Sequence, residues 1–134
     1  MWTIPRPIVN AIFGHAQRLA PQECVGILTG KGHLISGWSP LTNIHTDPHR
    51  FLADPTEQIQ LFAKLREENR EVVAIYHSHP NATGQPSTMD LEQINYPNAL
   101  YLIIGLGTDG RLDLNGFLLE EGAFVPQFLT ICEA

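Results

Sequence analysis

Cysteine is nearly absent from this sequence: two residues, Cys24 and Cys132, in a chain of 134. Two thiols are no disulfide framework, and without a Cys-x-x-Cys there is no dithiol redox centre and no thiolate zinc knuckle. Basic residues are scarce too. Eight Lys and Arg stand against fourteen Asp and Glu, for a net charge of -6. This excludes nucleic acid as the main partner, because phosphate binding needs a basic face. No apolar run reaches the roughly twenty residues of a membrane span. Pro5, Arg6, Pro7 and Asn10 interrupt the stretch where a signal peptide would need its apolar core. A soluble cytoplasmic protein is the expectation. Repeats, low-complexity tracts and linkers are lacking as well. What remains is 43% hydrophobic and 16% charged, the balance of a globular chain. Its length suits one domain over residues 1–134 that buries roughly two thirds of its unfolded surface.

Pro7 belongs in the first turn of a helix that runs to about Leu19, with Ile8, Ile12, His15 and Leu19 on one face, and Pro21 stops it. CVGILTG and HLISGW read as two strands about the turn Gly30-Lys31-Gly32. Between Pro40 and Pro55 three prolines leave space for one or two short edge strands. Asp54-Pro55 opens a second helix with Ile59, Phe62 and Leu65 as its apolar stripe. EVVAIY, residues 71–76, is nearly all apolar and β-branched, the mark of a strand covered on both faces. The loop HSHPNATGQP leaves it, and Ser87 starts a third, short helix that ends near Pro97. ALYLIIGL and RLDLNGFLLE form a further hairpin about Thr108-Asp109-Gly110, and PQFLTIC closes the sheet. The fold class is α/β or α+β, a mixed sheet flanked by helices.

The chemistry gathers at His77-Ser78-His79-Pro80, six residues, then Ser87-x-x-Asp90. Alternate residues of a strand face the same way, so His77 and His79 present two imidazoles together. Asp90, three residues into the next helix, can return as a third ligand. Two nitrogens, one carboxylate and an open fourth position make a catalytic zinc site. Ser87-x-x-Asp90 is also an N-cap with an acidic third residue, which needs no metal. The joint pattern arises by chance on the order of 10^-5 of the time at this composition, which favours the metal. A hydrolytic site also needs a base. Glu23, the only acidic residue among the first forty-six, precedes an apolar strand. By spacing alone it is equally a charge at a strand end.

GluCysValGly followed at a distance by HisSerHisPro-x6-Ser-x-x-Asp resembles the JAMM (MPN-plus) metalloprotease family over nearly the whole chain. The resemblance implies a cytidine-deaminase-like MPN architecture with zinc on His77, His79 and Asp90. It makes Glu23 the general acid/base and Ser87 the donor to the developing oxyanion. Asn43, in ProLeuThrAsn, loosely matches an asparagine common near such sites. The implied reaction is hydrolysis of a peptide or isopeptide bond, with the C-terminal tail of a ubiquitin-like or sulfur-carrier protein as substrate. Deaminase chemistry would need His-x-Glu and Pro-Cys-x-x-Cys, and neither is present. The alternative is a non-catalytic MPN-type module that captures an extended peptide on a sheet edge.

Other polar residues have plainer readings. His45 and His49 flank Asp47-Pro48, but Pro48 breaks the helix that would align them on a second metal. His15 reads as a hydrogen-bonded helix residue. Cys24 points into the core without the basic surroundings a nucleophile needs.

Overall fold

Pro5 holds an extended backbone and Pro7 lies within the next turn, so the chain passes from strand to helix without a loop. In the computed structural model, which describes residues 1–47, 50–87, 90, 98–107, 111 and 113–133, strand β1 (Trp2–Pro5) runs directly into helix α1 (Arg6–Leu19). The helix buries Val9, Ile12, His15 and Ala16, with Ile8 and Leu19 at the margins of that stripe. Strands β2 (Val25–Lys31) and β3 (Leu34–Leu41) form an antiparallel hairpin. Gly32 turns it at a φ of 59°, a conformation that is cheap for glycine and strained for most other residues. Helix α2 (Pro55–Glu67) starts where the Asp54 carboxylate accepts the Thr56 N–H at 3.0 Å. Then follow β4 (Glu71–His79), β5 (Leu100–Gly105), β6 (Asp113–Glu120), β7 (Ala123–Gln127) and β8 (Leu129–Cys132).

The eight strands form one mixed sheet in the order β7-β6-β5-β4-β2-β3-β1-β8. β4 pairs with β5, and β1 with β3 and β8, in parallel; the other pairs are antiparallel. β7 and β8 lie at opposite edges, yet only Phe128 separates them in the chain. The sheet therefore has to curl until its edges meet. α1 lies against β1, β3, β4 and β8. Between helix and sheet sits the main core, with Ile4, Ile12, Leu28, Ile35, Tyr76, Leu100 and Leu102 all sealed from solvent. Each such side chain contributes about 1.5–3 kcal/mol through burial. Polar groups that enter this core bond to one another. Tyr76 Oη accepts the Trp38 indole N–H at 2.8 Å and lies 2.7 Å from His15 Nδ1. A Cβ on Gly26 would overlap the Tyr76 ring, so the close approach requires glycine there.

The other face carries α2 over Val25, Ile27, Leu41 and Phe51. The stripe expected on α2 is corrected here. Leu61, Phe62 and Leu65 pack inward, whereas Ile59 is 70% exposed. Residues 58, 61, 62 and 65 and residues 59, 62 and 65 lie on overlapping helical arcs, and only tertiary contact selects between them. β1 and β7 are strands that periodicity missed. The third helix is described only at Asp90, and the turn at residues 108–110 lies outside the described residues. Among those described, no helix is long and apolar enough to cross a membrane.

Candidate active site

Register places the chemistry. β2 and β4 pair Val25 with His77 and Gly26 with Tyr76. The ladder continues past the end of β2, where Ser78 N–H donates to Cys24 C=O at 3.2 Å and Cys24 N–H donates to Ser78 Oγ at 2.8 Å. Cys24 thus stands opposite Ser78, and Glu23 opposite His79. Alternation then sends Glu23, Val25, His77 and His79 to one face and Cys24, Tyr76 and Ser78 to the other. Glu23 is buried rather than at a solvated rim.

The motif histidines belong to β4 itself, not to the loop that follows. His77 pairs with Ile103 and His79 with Gly105 of β5. Asp90 arrives by a reciprocal cap: its N–H donates to Ser87 Oγ at 3.2 Å while Ser87 N–H donates to Asp90 Oδ2 at 2.7 Å. That cap turns the carboxylate inward, 2.9 Å from His77 Nε2 and 3.2 Å from His79 Nε2. Ligand atoms of the three residues all lie within 4.8 Å of one another, an arrangement that could hold a metal ion. His79 Nδ1–H donates to the Thr83 carbonyl at 2.9 Å, which keeps Nε2 aimed at the cluster. Phe51 stacks on His77 at 4.7 Å.

Burial pushes the Asp90 carboxyl up, but bonds from His77, His79 and the Ser87 amide outweigh it and hold the group well below the usual carboxylate range. Burial lowers His77, partly offset by Asp90. The same burial acts on His79, yet Asp90 and the Thr83 carbonyl raise it on balance. Burial pushes Glu23 up to about 8; His79 draws it down while Asp90 and Asp47 push it further up.

The site fits a divalent ion by its own chemistry. Two imidazole nitrogens and one carboxylate are the donor set of catalytic zinc. Glu23 Oε1 is buried with no hydrogen-bond partner among the described residues. Such an atom is costly unless something polar meets it. Chelator-treated protein should therefore be pH-sensitive. The raised Glu23 carboxyl favours the fold fully below about pH 4.5 and loses that contribution as pH climbs through about 8. Relative to Glu23→Gln, the unsubstituted apoprotein should lose stability between pH 5.5 and 8.5. Urea midpoints at the two pH values check this, and parallel curves for the two proteins would contradict it.

Other sequence expectations also find their places. Asn43 Nδ2 donates to the Glu23 carbonyl at 2.8 Å and to the Arg50 carbonyl at 3.0 Å, and its Oδ1 accepts the His45 and Leu52 amides. It fastens the loop of residues 43–53 to the base of Glu23. Cys24 lies in the core, its thiol pushed up to about 11 by burial, so it is no nucleophile at neutral pH. Burial, with Arg18 adding to it, holds His15 low, in keeping with a neutral ring bonded to Tyr76. His45 Nδ1 accepts the Asp47 amide at 3.0 Å; its suggested partner His49 lies outside the described residues. Sequence reasoning missed Phe51 and the Thr83 carbonyl. Nothing local marks a lone phenylalanine or a backbone carbonyl.

Residues 5–115 match the family model described as prokaryotic homologs of the JAB domain. Among curated proteins, a probable TtuB-protein conjugate cleaving protease of Thermus thermophilus is 35% identical, over 89% of this chain and 76% of its own. A CysO-cysteine peptidase of Mycobacterium tuberculosis is 27% identical, over 94% of this chain and 88% of its own. A solution structure from Desulfitobacterium hafniense superposes with a TM-score of 0.90 at 26% identity, covering 100% of this chain and 94% of the other.

Proposed function

The chain belongs to the family of prokaryotic homologs of the JAB domain, and from that premise we propose that it is a zinc-dependent peptidase acting at the C-terminal tail of a ubiquitin-like or sulfur-carrier protein. The observation that carries this reading is the convergence of His77, His79 and Asp90, with the buried Glu23 carboxyl on the same sheet face, its Oε1 without a partner among the described residues. One relative is named a probable TtuB-protein conjugate cleaving protease and another a CysO-cysteine peptidase, which supports hydrolysis at a small protein's conjugate or adduct.

His77, His79 and Asp90 would hold the ion, and a zinc ion there would supply Lewis acidity toward the scissile carbonyl and its water. Glu23, on the same sheet face as His77 and His79, takes a proton from the attacking water and returns it to the leaving nitrogen. Ser87 Oγ accepts the Asp90 amide, so its own O–H is the donor for the oxyanion. All 134 residues act as one catalytic domain in this reading. Cys24 and Cys132 are unbridged, in keeping with a reducing compartment, and we place the enzyme in the cytoplasm.

The test is cleavage. Zinc-loaded protein is incubated with each ubiquitin-like carrier of its source organism, extended at the C-terminus by an amino acid or an isopeptide-linked lysine. Mass spectrometry should show loss of the extension at the carrier's terminal residue, abolished by a chelator. Intact carriers in every case, with about one zinc bound per chain, would refute the substrate class. Absence of metal together with unchanged carrier binding would favour the non-catalytic module.

A further inference from the structure

Gly84, in the loop between His79 and Ser87, is gripped from β6 at both its N–H and its C=O. Asp113 Oδ2 accepts the Gly84 N–H at 2.6 Å. Asn115 Nδ2 donates to the Gly84 carbonyl at 3.0 Å and to Asp113 Oδ1 at 2.7 Å. Asp113 pairs with Gly105 and Asn115 with Ile103, the residues that pair in turn with His79 and His77. The two β6 residues therefore share the face of the imidazoles, two strands away. Glycine on both sides makes the grip possible. A Cβ on Gly105 would overlap the Gly84 nitrogen, and one on Gly84 would sit 2.8 Å from Asn115 Nδ2 and from the Ile103 carbonyl.

The N–H of Gly84 and the C=O of Thr83 are the two ends of one peptide group. Thr83 C=O accepts the His79 Nδ1–H, so a single amide plane joins the Asp113 carboxylate to that ring. A negative charge on the N–H end polarises the amide and enriches its oxygen, and hydrogen bonds in such a chain strengthen one another by about 10–30%. An imidazole whose Nδ1–H is firmly accepted is fixed in orientation and is a better donor through Nε2. We propose that Asp113 is a positioning residue for His79, its carboxylate partner at one peptide's remove, with Asn115 aiming the carboxylate. The inference rests on the reading of His79 as a metal ligand.

Asp113→Asn keeps the shape, removes the charge and, with one acceptor oxygen left, keeps the bond from Gly84 while giving up the one from Asn115. Asn115→Ala loosens the same loop and leaves the charge in place. Zinc affinity is measured for each by competition with a chromophoric chelator, and the melting of each apoprotein is followed in parallel. Asp113→Asn should weaken zinc binding about 10–100-fold with apoprotein melting little changed, while Asn115→Ala should weaken it less than about fivefold. Equal losses in the two variants would mean mere tethering of the loop and would overturn the proposal, as would an Asp113→Asn affinity within about threefold of the unsubstituted protein. If Asp113→Asn does not fold, amide exchange in the unsubstituted protein decides. Gly84 N–H should exchange at least about 100-fold more slowly than an unprotected loop amide, and free exchange there would overturn the proposal. Failure of the unsubstituted protein to take up zinc would defeat the metal site as a whole, whereas equal zinc binding by both proteins defeats only the role of Asp113.

Discussion

Glu23→Gln should retain about one zinc per chain and lose turnover by about 10²–10⁴-fold, the span removed with a general acid/base. The amide matches the carboxyl in size and changes nothing in the ligand set. Its buried position opposite His79 should be kept, because strand register and the Asn43 bond act on the Glu23 backbone. Only the capacity to take a proton goes. KM should move far less than kcat, since Glu23 acts on the proton and not on the grip of the substrate. Metal analysis beside steady-state kinetics checks the split. Full turnover, or loss of zinc from this variant, would remove Glu23 from the role assigned to it.

His77→Ala should fail differently, losing metal and activity together. His77 is sealed from solvent, ends on Asp90 at 2.9 Å and lies under Phe51, so truncation removes a ligand and opens a cavity at once. The metal-free variant should also be destabilised by a few kcal/mol through that cavity and the lost bond between His77 and Asp90. Ser87→Ala is the contrast. It removes the proposed oxyanion donor and the cap on the Asp90 amide, at a cost of about 10²–10³ in kcat and roughly 1 kcal/mol of stability. Zinc should stay bound, because the Ser87 amide that orients Asp90 belongs to the backbone. Equal metal loss in the two variants would show that the serine hydroxyl, not only its amide, builds the site.

The difference between these residues reflects how they were legible in the sequence. His77, His79 and Asp90 follow from local rules, strand alternation and a reciprocal cap, and the structure brings the three together. Glu23 was undecided because its partner lies fifty-six positions away, and only the β2–β4 register sets it opposite His79. Asp113 and Asn115 gave no signal at all, since their targets are backbone atoms of a distant loop. In the fold the same division holds. The hairpin at Gly32, the start of α1 near Pro7 and the Asp54 start of α2 were readable, whereas β1 was missed because it pairs chiefly with the far end of the chain. β7 carries Pro126, which is tolerated because the strand lies at the sheet's edge. Ile59 was misplaced because periodicity defines an arc, not the neighbour that covers it.

The seam between β1 and β8 pairs Trp2 with Leu129 and Pro5 with Cys132, so the first strand made is completed by the last. The proposed site draws on β4 and on Glu23 just before β2, braced by β5 and β6. During synthesis those inner strands can emerge and register before β8 leaves the ribosome. β1 has by then only its one pairing with β3, at Thr3 and Leu34. Closing so long a loop adds little to the equilibrium penalty, about 0.6 kcal/mol for each doubling, but contacts this distant in sequence slow folding. The strands that frame the proposed site are therefore expected to register ahead of the β1–β8 seam.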